Sequence, residues 1–458
     1  MDITTISQSL HSFCLDFGDM FVNHRHNNTH TAHLYICGLM QSDKRNMERM
    51  EEHVPESDYE ALQHFISNSP WNSRIVINRV ATESDLLLGG TGRTGLLIDE
   101  TAIAKKGVCS VGVSRQWNGR MGKTENSQVA VFGALCAGDR VVPVDVELFL
   151  AKEWTDDEKR CLKAGVPAER IVHKTKPELA LEIVQRQREL GVRFDYVCAD
   201  GLYGNSYAFC KTLEDAKEIF LCHVHSDQFV YLEDPQPRIP PRRSNKGRTP
   251  TKLKAQSKPV RVSQIYNDLS NDDFVRLKVR KSTTGSLVVD AYRCEVWVWD
   301  GEEENARCRT LYIRADVQSP GEIKYCLTNA PKFTPTQVIA EMEAQRFWIE
   351  RAFEDAKSQA GLAEYQVRGW KAWHHHMALV MMTMLFMTKH RMLYQKEIPL
   401  LSCYDIKVLL AYFLPKRKNS VEEILRQMEL RHVKRKAASE NAARRQKKTI
   451  GNKSNIPK

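Results

Sequence analysis

The feature that most constrains this chain of 458 residues is a change of hydrophobic rhythm at Leu86. Before it, apolar residues recur at three- and four-residue spacing: Leu34, Cys37, Leu39 and Met40, then Tyr59, Leu62, Phe65 and Ile66. That spacing predicts helices over residues 1 to about 75, with Ser57 and Asp58 placed to cap one of them. After it come short β-branched runs separated by glycine-rich turns: LLIDE (96–100), SVGVSRQW (110–117), VAVFGALC (129–136) and VVPVDVELFL (141–150). Helical stretches follow at about 155–164 and 176–190, and then the apolar run FDYVCAD (194–200). Strands that give way to alternating helix and strand predict a mixed α/β sheet.

Further along, the basic, proline-rich stretch 236–261 lacks the backbone donors and the regularity of a helix or a ladder, and reads as a loop. FVRLKVRKS, SLVVDAYRCEVWVWD and CRTLYIRAD then alternate at period two, which predicts an antiparallel, β-rich insertion between about 228 and 320. A helix is expected to start at Thr334, as N-cap, with Pro335 at its first position, and to run without interruption through Lys357. More helices reach about residue 430. One of them carries the apolar run Met377–Met387, whose 11 residues fall well short of the roughly 20 needed to cross a bilayer. It is expected to be a buried helix, and no membrane partner is expected.

The net charge of +10 is concentrated in two places. Residues 236–261 hold nine Lys or Arg and no acid, and residues 431–458 hold ten against Glu440 alone, so the remainder of the chain is net acidic at −8. A uniformly basic coat is thereby excluded in favour of local contacts with a polyanion. Twelve cysteines without a C-x-x-C pair, behind an N-terminus MDITTISQSLHSF that lacks a basic leader and apolar core, point to reduced thiols and a cytoplasmic location.

Several motifs invite chemical readings that their context removes. Gly90-Thr-Gly92-Arg-Thr-Gly95 runs into a strand, where a dinucleotide loop opens a helix. Gly119-Arg-Met-Gly122-Lys123-Thr124 has two residues between its glycines where a phosphate loop needs four, and reads as a hairpin turn. His223 and His225 on a strand and His374 to His376 on a helix lack an evident third ligand, so core or solvent roles are the better reading. Trp297 and Trp299 share a strand face, and sheet packing outweighs base stacking there.

Acids at strand ends carry more information. Asp99 closes Leu96-Leu97-Ile98 and Asp200 closes Tyr196-Val197-Cys198-Ala199. An unpaired charge is costly to bury, so each acid belongs at a sheet rim or beside a compensating cation, and two from central strands can converge on a metal. A third acid is available from the helix Arg346–Lys357. At 100° per residue, Ile349, Ala352, Phe353 and Ala356 form its apolar face. Arg346 and Lys357 fall within about 40° of Glu350; Glu354, about 40° to its other side, is a rival ligand, and Asp355 faces away.

These residues sit within blocks that resemble a known family. LLIDET, SVGVSRQW, NSQVAVF, KEWTDD, KPELAL, CADGLYGN and ERAFEDAKSQAGLAEYQVRGW resemble, in order and spacing, bacterial insertion-sequence transposases of the DDE type with a Y-R-E-K signature. The resemblance covers roughly residues 30 to 395 and implies an α/β, RNase H-like mixed-sheet catalytic core, interrupted by the β-rich insertion and preceded by an N-terminal helical domain. The divisions expected are 1–80, helical and binding DNA ends; 81–227, the first part of the core; 228–325, basic linker and insertion; 326–400, the last part of the core; 401–435, C-terminal helices; and 436–458, a flexible basic tail. Asp99, Asp200 and Glu350 carry over as catalytic metal ligands, for Mg2+ with Mn2+ as substitute. Arg346 and Lys357 carry over as the signature basic residues that contact DNA phosphates, and Arg242, Arg243, Lys246 and Arg248 of the linker are further DNA-contact candidates. Glu343 stands where the signature has tyrosine. The implied activity is binding of terminal inverted repeats by a homodimer, followed by cleavage and strand transfer on double-stranded DNA. The alternative is a catalytically silent, DNA-binding relative that regulates transposition.

Overall fold

The β-branched runs after Leu86 pair into one ten-stranded sheet. The computed structural model describes residues 3–23, 26–242, 249–282, 285–319, 321–418 and 420–453, apart from the side chains of Arg120, Lys281, Ser282 and residues 445–453. The strands are β1 (Thr94–Ala104), β2 (Ser114–Asn118), β3 (Lys123–Ala137), β4 (Arg140–Leu148), β5 (Tyr196–Ala199) and β6 (Phe220–Val224), then β7 (Val275–Ser282), β8 (Gly285–Val298), β9 (Arg307–Asp316) and β10 (Ile323–Thr328). Their order is β7-β8-β9-β10-β6-β5-β1-β3-β2, with β4 also on β3. Within it, β4, β3 and β1 are antiparallel neighbours, whereas β1, β5 and β6 run parallel. That five-strand block has the RNase H-like arrangement, and helix α6 (Lys176–Glu189) makes the crossover from β4 to β5.

The insertion extends this sheet, because β10 pairs antiparallel with β6 and carries β9, β8 and β7 outward. A small second core of Val230, Val262, Ile265, Val296, Val298, Leu311 and Ile313 covers one face of this extension. The basic stretch is less irregular than its prolines imply. Arg238 and Lys254 exchange both backbone hydrogen bonds, at 3.1 and 3.0 Å, and close the loop at its base. Arg242 is described and exposed, whereas Arg243, Lys246 and Arg248 lie outside the described residues.

The N-terminal helices α1 (Ile6–Asp16), α2 (Thr29–Gln41), α3 (Met47–His53), α4 (Tyr59–Ser67) and α5 (Ser73–Leu88) share one continuous core with the sheet. Asp58 caps α4 by accepting from the Ala61 amide at 2.9 Å. The boundary expected at residue 80 falls inside α5, which packs on β4.

Helix α7 (Tyr207–Asp215) follows β5, and the helical run expected from Thr334 to Lys357 is broken in two: α8 (Thr336–Gln345) and α9 (Phe347–Gln359) meet at Arg346. Pro335 precedes the first helical residue, and Thr334 makes no capping bond. Helix α10 (Trp370–Leu393) is buried at every residue from Ala372 to Thr388, as expected of a helix apolar on all sides. Its histidines are core residues. His375 bonds the carbonyls of Ile66 and Trp71, each at 2.9 Å, and His376 pairs with the Tyr35 hydroxyl at 2.8 Å. Burial lowers the His375 pKa to about 4, so the ring is neutral and donates to one of these two carbonyls.

Helix α11 (Cys403–Phe413) follows, and α12 (Val421–Lys453) continues as helix through most of the stretch expected to be a flexible tail. All twelve cysteines are free thiols, and no described helix is long and apolar enough to cross a membrane. Leu385, fully buried on α10, should lose about 2–5 kcal/mol of stability on replacement by alanine. The same change at Leu400, 92% exposed, should stay within about 0.5 kcal/mol. Urea unfolding of the two variants checks the contrast.

Candidate active site

The site arises where the parallel pairing of β1 and β5 stops. Gly95–Ile98 of β1 pairs with Tyr196–Ala199 of β5; β5 then ends, while β1 continues to Ala104 with only β3 beside it. Asp99 is the first β1 residue past that pairing, and Asp200 is the first residue beyond β5. Asp99 is thus in mid-strand, not at a strand end. Parallel register puts Asp99 and Asp200 side by side on one sheet face.

Both acids are locally fixed. Asp200 Oδ1 accepts from the Leu202 amide at 3.0 Å and caps a short helical turn, Gly201–Gly204. Asp99 Oδ1 accepts from the Glu100 amide at 2.8 Å. A further acid, Glu100, completes the group: oxygens of Asp99, Glu100 and Asp200 lie within 4.8 Å of one another. Strand alternation sends Glu100 to the opposite face, which hid it from pattern reasoning. Its carboxylate is turned to the strand end by Lys176 Nζ at 2.7 Å and the Tyr203 hydroxyl at 2.9 Å. The adjacency of two acids in LLIDET was the available signal.

The electrostatics of this group call for a cation. Burial pushes Asp99 up to about 8, against the opposing charge of Arg346, and Asp200 and Glu100 add to the rise. Asp200 is raised by burial and by Glu100. Three carboxylates with all-oxygen donors suit a hard divalent ion such as magnesium or manganese.

Helix α9 supplies the other predicted residues. Arg346, at the break between α8 and α9, sets Nη1 2.8 Å from Glu350 Oε1 and 3.5 Å from Asp99 Oδ2. Glu350 therefore reaches the aspartates through Arg346, and its side chain remains about half exposed. Arg346 Nε is buried without a hydrogen-bond partner among the described residues. Lys357 Nζ donates to Thr101 Oγ1 at 2.6 Å, two residues along the same face from Asp99. The rival Glu354 turns aside to Arg351 at 3.0 Å. Asp355 also faces away from the acids and is buried, with Arg351 at 3.2 Å.

Glu343, at the signature tyrosine position, is a fully buried anchor. His223 Nε2 lies 3.1 Å from its Oε1, and Arg314 Nη1 donates to its Oε2 at 2.6 Å. Burial would raise its pKa, but the His223 hydrogen bond and the Arg314 charge outweigh that and hold it at about 2.

The folded chain keeps the Asp99 proton up to about pH 8, while the unfolded chain loses it near 3.8. The cost of ionising the site therefore grows as pH rises through that window. Without divalent ions, Asp99→Asn should melt a few degrees above wild type at pH 8, with the difference vanishing toward pH 4. Thermal unfolding in chelator across that range checks it.

Comparison with known proteins places this geometry in context. The family described as DDE superfamily endonuclease matches residues 16–286, more than half of the chain. The probable transposase for insertion sequence element IS701 of Microchaete diplosiphon is 24% identical over 339 residues, spanning 73% of this chain and 76% of that protein. Among solved structures, the piggyBac transposase synaptic complex with hairpin DNA aligns over 90% of this chain and 77% of its own, at a TM-score of 0.41 and 11% identity. The NurA nuclease of Sulfolobus solfataricus aligns over 72% and 95%, at a TM-score of 0.23 and 10% identity.

Proposed function

Since the chain belongs to the DDE superfamily endonucleases, we propose that it is the transposase of an insertion sequence, cutting and joining DNA with divalent metal ions. The observation that carries this reading is the convergence of Asp99, Glu100 and Asp200 where β5 ends, with Arg346 joining Asp99 to Glu350. Asp99, Asp200 and Glu350 are the catalytic ligands in this reading, with Glu100 beside them. Bound there, magnesium or manganese would activate the attacking oxygen and stabilise the leaving oxygen of a phosphodiester.

The chain's own residues do the remaining work. Arg346 opposes the charge of Asp99 and Glu350 before ions bind, and its guanidinium would turn to a DNA phosphate once ions take its place there. Lys357, set against Thr101, extends the cationic stripe along α9. In the chain the basic loop of 236–261 follows β6, whose C-terminal end lies at the same edge as Asp200, and it leaves from the insertion, where Tyr231 exchanges backbone hydrogen bonds with Trp297 of β8. Arg242, Arg243, Lys246 and Arg248 would meet backbone phosphates from that root. The substrate in this reading is the element's terminal inverted repeats, held by a homodimer with the N-terminal helices on the ends. An assembled set of acids favours this over a silent regulator of transposition.

Asp99→Ala should reduce magnesium-dependent cleavage of a DNA end to background while end binding persists in a mobility-shift assay. Retained cleavage would falsify the assignment. Glu350→Gln should be similarly inactive and Glu354→Gln near wild type; the reverse ranking would transfer the ligand role to Glu354. The basic end of α12 makes a separate prediction. Arg431 and Lys434 already pair with Glu52 and Glu51 of α3, so truncation after Arg435 leaves those pairs in place. It should weaken DNA binding and lower the salt slope by about 0.9 for each DNA phosphate that the truncated chain no longer neutralises, without altering which ends are chosen.

A further inference from the structure

The cross-strand register that aligns Asp99 with Asp200 continues outward along the sheet. Ala199 lies opposite Cys222 on β6, so the next position beside Asp200 is His223; Cys326 on β10 is opposite His223, and Tyr312 on β9 is opposite Cys326. One row on one face therefore reads Asp99, Asp200, His223, Cys326, Tyr312. Glu343 descends on this row from α8. A ligand atom from each of His223, Cys326 and Glu343 lies within 4.8 Å of the other two.

We propose that His223, Cys326 and Glu343 form a second metal site, specific for a zinc-class transition ion and distinct from the carboxylate group. The donor set argues for that class. Imidazole and thiolate are poor ligands for magnesium and good ones for zinc or cobalt, whereas the neighbouring all-carboxylate group has the opposite preference. Geometry agrees: the 3.1 Å between His223 Nε2 and Glu343 Oε1 is close to the roughly 3.3 Å that two tetrahedral zinc ligands keep. The carboxylate divides its duties, with Oε1 toward His223 and Oε2 held by Arg314 at 2.6 Å, as an outer hydrogen bond orients a ligand. A further polar group waits in the same place. Tyr312 is fully buried, its hydroxyl has no hydrogen-bond partner among the described residues, and the charges acting on it are those of Glu343, Cys326 and Arg314.

An ion there would tie three distant segments together, namely core strand β6, insertion strand β10 and helix α8, three residues before Arg346. It would be a structural ion that seats the α8–α9 break over the carboxylates. This inference stands apart from the transposase reading, because its readout is metal content and not cleavage.

The test uses the full chain, loaded with zinc and equilibrated in excess magnesium. Elemental analysis should find about one zinc per chain. Asp99→Asn should keep that zinc, while Cys326→Ser and His223→Gln should each lose it at least tenfold. Cobalt exchange of the wild-type chain should give a thiolate-to-cobalt charge-transfer band, a measurement that needs no variant to fold. The proposal is overturned if that band is absent, if Cys326→Ser keeps its zinc, or if Asp99→Asn loses it. The last result would place the ion on the catalytic carboxylates. Zinc-free wild type would make the cluster a buried ion pair only.

Discussion

Clustering carboxylates at the end of a buried strand is electrostatically unfavourable, and the surrounding architecture is organised around that cost. Burial and mutual repulsion raise Asp99 to about 8, so the fold cannot hold all of the acids ionised without a nearby cation. Arg346 meets that need only in part in the metal-free chain: with its charge 3.5 Å away, Asp99 still stays raised to about 8. Arg346 lies at the junction of α8 and α9 with helical backbone angles (φ −54°, ψ −33°), and its guanidinium is aimed at Asp99 and Glu350 from there.

The insertion then acquires a mechanical role. It continues the core sheet through β10, and α8 lies over the extension it builds. Glu343 near the end of α8 is fastened to β6 by His223 and to β9 by Arg314, and Arg280 of β7 stacks over Phe347 at 4.3 Å. All of these contacts act within a few residues of Arg346. Glu343 is therefore an internal anchor between α8 and the sheet.

Much of this could be read in the sequence, for physical reasons. Period-two and helical rhythms identify strands and helices because burial on one face is what they encode, so the mixed sheet, the buried Met377–Met387 helix and the stripe of Arg346, Glu350 and Lys357 were all legible. Pattern cannot report pairing partners. It marked Asp99 as a strand end, although β1 runs five residues further with β3 alone. It gave Glu100 no role, because strand alternation points it away from Asp99 and only Lys176 and Tyr203 hold its carboxylate at the strand end. It treated His223 as ligand-poor, because Cys326 and Glu343 lie more than a hundred residues away and meet it only through the β6–β10 pairing.

The charge distribution follows from the same constraint. A body that is net acidic outside two stretches would repel a polyanion from its carboxylate edge, so cations must come from those stretches. One stretch follows the point where Tyr231 pairs with Trp297 of β8 and is tied at its base by Arg238 and Lys254. The other begins by neutralising Glu51 and Glu52 on α3 and only then extends as exposed helix. The first two cations of that stretch thus hold the helix to the body, and Arg435, Lys436 and Arg444 beyond them are exposed. Total charge cannot distinguish these roles; the ion pairs that each lysine and arginine makes can.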